Sequence, residues 1–260
     1  MRRQTRGKRI RRPDLAQYEV YPYTTISTWI EDDIVPLLDQ QVLLITIDEF
    51  EKIGGSLMAG ELTVKVLDYL RHMMQHSEHL LFLFCGGESL EALGPNAASY
   101  FISAQAIEIS YLSAEAAEDL IRHPNPEAGD MPDYDDEVVA AIIHLTHRQP
   151  YLVQAVCSKI IDVANARNLK RIDRSVLDEV LPKVFDVDRM YFMNIWEDAG
   201  EEGRAMLVAL AHGPASLAID QVNGPGGQGL LKRRVIHLCP DGLLYEIEIP
   251  LVRQWVAQQV

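Results

Sequence analysis

Residues 41–52 read QVLLITIDEFEK, and this segment constrains the fold more than any other. An unbroken apolar and β-branched run ends abruptly in two adjacent carboxylates, Asp48 and Glu49. A strand buried on both faces of a parallel sheet carries this continuous pattern, where a half-exposed strand would alternate. Acids at the carboxyl end of such a strand stand where open α/β sheets bind their ligands. The expected fold class is therefore α/β, with Asp48 and Glu49 as the first candidate site residues.

The complementary half of such a site is missing from the sequence. A glycine-rich loop of the form G-x-x-x-x-G-K-[ST] cradles phosphates with its backbone amides. Gly7-Lys8 has no upstream glycine and is followed by Arg9. Residues 55–60 have the glycine spacing but continue Glu61-Leu62, and residues 224–229 (GPGGQG) continue Leu230-Leu231, with Lys232 too late. Neither follows a buried strand.

Composition bounds the alternatives. The chain has 260 residues, 48% hydrophobic and 24% charged, as in a soluble globular protein of more than one unit. No apolar stretch approaches the roughly 20 residues of a membrane helix, so no membrane insertion is expected. No apolar signal core follows the basic start. Cys85, Cys157 and Cys239 are far apart, odd in number and each in apolar context. They read as buried free thiols of a cytoplasmic protein.

The net charge is −14, but seven of the 24 basic residues fall in the first twelve positions, leaving 17 basic against 38 acidic side chains elsewhere. A body that acidic should not bind nucleic acid nonspecifically. Residues 1–22 read as a disordered basic arm, the part able to touch nucleic acid, an acidic partner or anionic lipid.

Helical spacing or capping residues predict helices over residues 27–38, 62–74, 113–123 (capped by Ser113), 137–145, 151–167, 173–184 (capped by Asp173) and 201–211. No clear element starts within 18–28. Residues 79–85 (HLLFLFC) read as a second buried strand ending at Gly86-Gly87, and residues 104–109 as a third. His72, His76 and His79 lack a carboxylate partner for a metal. The acidic stretch 130–136 reads as a solvated loop without calcium-loop spacing. From Asp188 a third unit follows: short helices, a hairpin over 235–249 around Pro240-Asp241-Gly242, and a closing helix over 250–258.

The ordered set IDEFEK, Cys85-Gly86-Gly87, Tyr111-Leu112-Ser113-Ala114-Glu115, the run THRQPYLVQ ending at Gln154, and a C-terminal PLVRQW ending at Trp255 resembles the AAA-like STAND ATPases of bacteria and archaea. That resemblance implies a P-loop ATPase core, a helical lid and a C-terminal winged helix, here over residues 23–112, 113–187 and 188–260. It also implies ATP and magnesium as ligands, and partners through protein contact or self-association. On this likeness residues 41–49 are the Walker B strand, Asp48 the magnesium-organising acid and Glu49 the water-polarising one. Gly86-Gly87 stands where a sensor residue faces the γ-phosphate, and the chain has no Asn, Ser, Thr or Arg there until Ser89. Pro150 matches the proline of a lid motif T-G-G-x-P that packs near the adenine. Both glycines of that motif are replaced, by His147 and Arg148. Trp196 and Trp255 match core aromatic positions.

The part of the family that carries the phosphate loop (Walker A) on a central strand is not in this sequence. Without that strand its neighbours keep unpaired backbone groups, each costing roughly 1–3 kcal/mol when buried, against a domain stability of about 5–15 kcal/mol. The expectation is therefore an ATPase module that does not hydrolyse ATP alone. The alternatives are a winged-helix DNA-binding regulator using Lys232, Arg233, Arg234 and Arg253, and a degenerate scaffold that makes only protein contacts.

Overall fold

A computed structural model describes residues 10–87, 97–125 and 131–259. They form two compact units, divided between Ile107 and Glu108. Residues 1–9, Ser89 and Asp130, which carry several of the readings above, lie outside the described residues.

In the first unit, residues expected to be unstructured are helical. Helix α1 (Leu15–Val20) is capped by Asp14, whose Oδ1 accepts from the amides of Ala16 and Gln17. Helix α2 (Pro22–Trp29) starts at Pro22, in the first helical position. There the missing N–H is no loss and the fixed φ suits the helix. The helix continues through a π-turn (Ile30–Ile34) into a 3-10 turn (Val35–Leu37). The indole of Trp29 donates to the carbonyl of Arg11 at 2.5 Å, tying that end of the basic arm down.

Strands β1 (Leu43–Ile47) and β2 (Leu80–Phe84) pair in parallel, Leu43 opposite Leu80 and Ile47 opposite Phe84. Helices α3 (Glu51–Met58) and α4 (Lys65–His76) form the crossover. Both strands were expected to be buried on both faces. Instead their burial alternates: Leu43, Ile45, Phe82 and Phe84 join hydrophobic clusters, while Leu44 is 55% and Leu81 54% exposed. The apolar stripe of α4 (Leu67, Leu70, Met73) covers one face. With one covering layer the intrinsic period of two shows through, whatever the sequence pattern.

The expected third strand over 104–109 is absent. Residues 105–110 have no regular structure, and Ile107 and Ile109 are 77% and 93% exposed. β-branched residues form a strand only against a partner edge and a covering layer, and this segment has no ladder partner among the described residues. The thiols are also less buried than expected. Cys85, just past β2, is exposed, and Cys157 and Cys239 are partly covered.

The second unit is built on one large core. Its elements are α5 (Ala114–Arg122), β3 (Asp133–Tyr134), α6 (Asp136–Thr146), α7 (Pro150–Arg167), β4 (Arg171–Ile172), α8 (Arg174–Val187), α9 (Arg189–Asp198) and α10 (Gly200–Ala209). Then come α11 (Ile219–Asn223), α12 (Pro225–Lys232), β5 (Ile236–Leu238), β6 (Tyr245–Ile247) and α13 (Pro250–Ala257). Ser113 Oγ accepts from the Ala116 amide and Asp173 Oδ1 from those of Ser175 and Val176, so both caps form as read. Buried side chains of α6, α7 and α8 share a continuous cluster with those of α10, α12, α13 and the hairpin.

Helix α9, which the sequence reading passed over, supplies a centre of that core. Phe192 is fully buried, with ring centroids 5.4 Å from Phe185 and 5.6 Å from Trp255. The solvated acidic loop is corrected too. Tyr134 is buried in β3, which pairs in parallel with β4, and the Arg122 guanidinium donates to the Tyr134 carbonyl and pairs with Asp136. The hairpin β5–β6 is antiparallel, and Ala215, between α10 and α11, adds a bridge to Tyr245. Two glycines of GPGGQG serve packing: a Cβ on Gly226 would stand 2.8 Å from the Gly203 amide nitrogen, and one on buried Gly227 2.5 Å from the carbonyl oxygens of Gln221 and Val222 in α11.

Candidate nucleotide site

The backbone ladder continues one step past both strands: Cys85 N donates to Ile47 O and Phe50 N to Cys85 O, each at 2.9 Å. Asp48 and Glu49 are thereby fixed as a turn between two ladder bonds, beside Cys85-Gly86-Gly87 at the end of β2. Phe50 anchors the turn. It is buried, with ring centroids 4.7 Å from Phe84 and 4.9 Å from Phe101. Glu49 takes the left-handed backbone region (φ 54°), which few residues other than glycine adopt. The Glu49 amide is satisfied by Asp48 Oδ1 at 2.9 Å.

Both acids are exposed, and a cation attends them. Lys52 Nζ lies 3.0 Å from Glu49 Oε2. The hydrogen bond to Glu49 raises the Lys52 pKa above the ordinary lysine range, with the charges of Glu49, Glu51 and Asp48 adding to it. Glu51, a residue the sequence reading did not single out, turns the other way. Its Oε2 is buried without a hydrogen-bond partner, in the space a Cβ on Gly86 would need. Gly86 is the signal that could have located it, since a side chain there collides with that carboxylate.

Pro150 belongs to the second unit, so the candidate residues are divided between the two. It occupies the first position of α7, and Gln149 Oε1 caps that helix by accepting from the Leu152 amide at 2.8 Å. The two residues in place of the motif glycines keep a glycine-like backbone: φ is 48° at His147 and 61° at Arg148. Thr146 is buried and donates to the Ile142 carbonyl at 2.7 Å. Two of the quoted sequence motifs meet here. Leu112 N donates to Arg148 O at 3.1 Å, and the Tyr111 ring stands edge-on to His147 at 4.9 Å.

Close by, Tyr111, Gln149, Tyr191, Asn194, Arg233 and Arg234 help line a cavity of about 380 Å³. Arg233 pairs with Asp198 at 2.8 Å and Arg234 with Glu108 at 2.5 Å. Two of the four cations expected to contact phosphate thus have acidic partners within the unit. His72 and His76 stack at 4.5 Å on α4.

Magnesium and ATP can be tested against these side chains. Among the described residues no group of three His, Cys, Asp or Glu is arranged to hold a metal ion. Glu49 is occupied by Lys52 and Asp48 by a backbone amide, while the unpartnered oxygen of Glu51 is enclosed against Gly86. With no phosphate-binding loop in the sequence, these residues do not fit a self-sufficient nucleotide–metal site.

No family model matches the chain, and no curated protein does. Among solved structures, it is similar to two point mutants of RuvB from Thermotoga maritima. Each has 13% identity and a TM-score of 0.42; one match covers 83% of this chain and 71% of the other, the second 86% and 80%. The T. maritima RuvB Holliday junction branch migration motor aligns at 12% identity and a TM-score of 0.39, over 86% of this chain and 80% of the other. Likeness at this level assigns neither activity nor substrate. No helix among the described residues is long and apolar enough to cross a membrane.

Proposed function

We propose that this chain is part of an AAA-like STAND ATPase module, with residues 113–187 as lid and residues 188–260 as winged helix, and that it does not turn over ATP by itself. One observation carries the reading. The parallel register of β1 and β2 sets Asp48-Glu49 and Gly86-Gly87 side by side at the carboxyl ends of neighbouring strands. In a P-loop ATPase such an acid pair orders magnesium and water, and the next strand end senses the γ-phosphate. Asp48 then has the magnesium-organising place, Glu49 the water-polarising one, and Pro150 the adenine side of the lid.

What the chain lacks supports the second half of the reading. Binding in this class depends on backbone amides and a lysine from the phosphate loop. The β1–β2 sheet also leaves Val42, Leu44, Leu81 and Leu83 exposed on its uncovered face. Exposed apolar surface on a two-stranded sheet suits an incomplete layer that a further polypeptide segment covers. A degenerate scaffold that makes only protein contacts is the second reading, favoured by the Lys52–Glu49 pair. DNA recognition is disfavoured because Arg233 and Arg234 are already paired and the hairpin carries Glu246 and Glu248.

The test is an ATPase assay with magnesium on the chain alone, beside its Glu49→Gln variant. The expected result is no turnover above background in either. A magnesium-dependent rate that Glu49→Gln abolishes would overturn the claim of inactivity. Supplying the chain with a phosphate-loop segment in trans separates the two readings: nucleotide binding restored only with Asp48 intact favours the ATPase module.

A further inference from the structure

The cavity of about 380 Å³ in the second unit carries both signs of charge in its lining. Asp198 ends α9, Arg233 caps the end of α12, and the two pair at 2.8 Å. Their side chains are 52% and 47% exposed. An ion pair so open to water adds little stability, so a ligand can part it at little cost. Arg234, also in the lining, is matched by Glu108 at 2.5 Å. Each of these two cations is thus balanced by an acid.

The rest of the lining is amphipathic. Ile249 and Val252 are buried and, with Ile195, supply an apolar surface. Tyr111 and Tyr191 bring phenol hydroxyls that have no hydrogen-bond partner among the described residues. Burial pushes both phenols above the ordinary tyrosine range, so each remains a protonated donor. A few free polar groups converging on an apolar lining are the pattern of a ligand pocket. The volume lies near the lower end of the roughly 300–1,000 Å³ typical of such pockets, which limits the ligand to a small molecule.

Charge decides its class. A polyanion such as a nucleoside triphosphate would meet Asp198 as well as Arg233, and the carboxylate repels it. A simple cation would meet the arginines. A zwitterion suits both partners. Its carboxylate can replace Asp198 on the planar donor fork of Arg233, and its ammonium can replace Arg233 on Asp198. The position of Asp198 at the end of α9 adds to this, because a helix C-terminus favours positive charge. One exposed pair is exchanged for two charge-assisted contacts.

We propose that this cavity binds a free α-amino acid with a large side chain. Arg233 holds its carboxylate, Asp198 holds its ammonium, and its side chain lies over Ile195 and Val252 towards the two tyrosine hydroxyls. Asp48 and Glu49 take no part in this site.

The test screens the full chain by thermal shift against the twenty standard amino acids, one at a time, and titrates the responders calorimetrically. The expected result is binding of one or more with large side chains. Blocking the ammonium by N-acetylation, or the carboxylate by amidation, should weaken it by at least about tenfold, the scale of a lost hydrogen bond to a charged group. Asp198→Asn and Arg233→Gln should each weaken it by a similar factor. Lys232→Gln, next to Arg233 and outside the cavity lining, should leave it unchanged. A melt of each variant without ligand checks that its fold is kept, and the blocked ligands test the same two contacts on the parent chain. No response to any amino acid at millimolar concentration would overturn the proposal, as would binding that survives both substitutions. ATP is titrated separately. If it binds, and Arg233→Gln abolishes that binding while Asp198→Asn strengthens it, the cavity is an anion site and the amino-acid assignment falls.

Discussion

Glu49 and Lys52 form an ion pair, Oε2 to Nζ 3.0 Å, one helical turn past the strand that carries the acidic pair. Both side chains are largely exposed, at 59% and 74%, so the pair sets local charge more than it sets stability. Lys52→Ala should leave the thermal midpoint within about one degree of the parent, as exposed pairs do. It should also leave the Glu49 carboxylate without its cation, in a turn where no group of three acids is arranged around a metal ion among the described residues. Isothermal titration with magnesium checks the consequence: no measurable heat in either the variant or the parent.

Two glycines should respond to alanine to different degrees. At Gly86 the added Cβ meets the far end of the Glu51 side chain, which can swing into solvent and find water for its unpartnered oxygen. At Gly227 it meets main-chain atoms of Gln221 and Val222, which cannot move without displacing α11. Gly86→Ala should cost under about 1 kcal/mol and Gly227→Ala about 3 kcal/mol, the scale of overpacking. Urea titration of each variant measures the difference.

The left-handed residues of the α6–α7 turn separate strain from contact. Arg148 contributes its carbonyl to Leu112, and a glycine keeps that bond. Arg148→Gly should therefore stabilise the second unit by roughly 0.5–1 kcal/mol, by relieving a conformation that costs non-glycine residues roughly 1–2 kcal/mol. His147→Gly gains the same relief but loses the 3.1 Å contact of its Nε2 to Glu248, and should show a smaller gain or none. The comparison is a pair of thermal melts at pH 7.

Thiol reactivity should rank the cysteines. Burial pushes the Cys157 thiol up to about 12, and the nearby Tyr134 hydroxyl only partly offsets this. At pH 8 the reactive thiolate is then only about one part in ten thousand. Its reactivity should rise as pH approaches 12 or on unfolding. Cys85 is exposed. Mass-resolved alkylation at pH 8 should modify Cys85 first and leave Cys157 intact until denaturant is added.

How much of this was legible in sequence differs from element to element. Ser113 and Asp173 announced their helices because a cap is a local bond, complete within three residues. The hairpin around Asp241-Gly242 was readable for the same reason, with Gly242 in the left-handed region and Asp241 accepting from the amides of Leu243 and Leu244. Helix α9 escaped notice although it carries Phe192, because its importance lies in contacts with Phe185 and Trp255, which no spacing within the helix reveals. The cavity lined by Tyr111, Tyr191 and Arg233 joins residues far apart in the chain, and no local pattern pointed to it.

Sequence by itself determined the strand that ends in Asp48-Glu49, the capped helices of the second unit, and the absence of a phosphate-binding loop. These follow from local chemistry: an apolar run, a capping oxygen, a missing glycine-lysine pair. Tertiary structure alone decided that β1 and β2 are covered on one face only among the described residues, that residues 105–110 form no strand, and that Lys52 neutralises Glu49. Burial depends on which layers are present to cover a surface, and the state of a charge depends on which side chains come near it. Neither is a property of any short stretch of the chain.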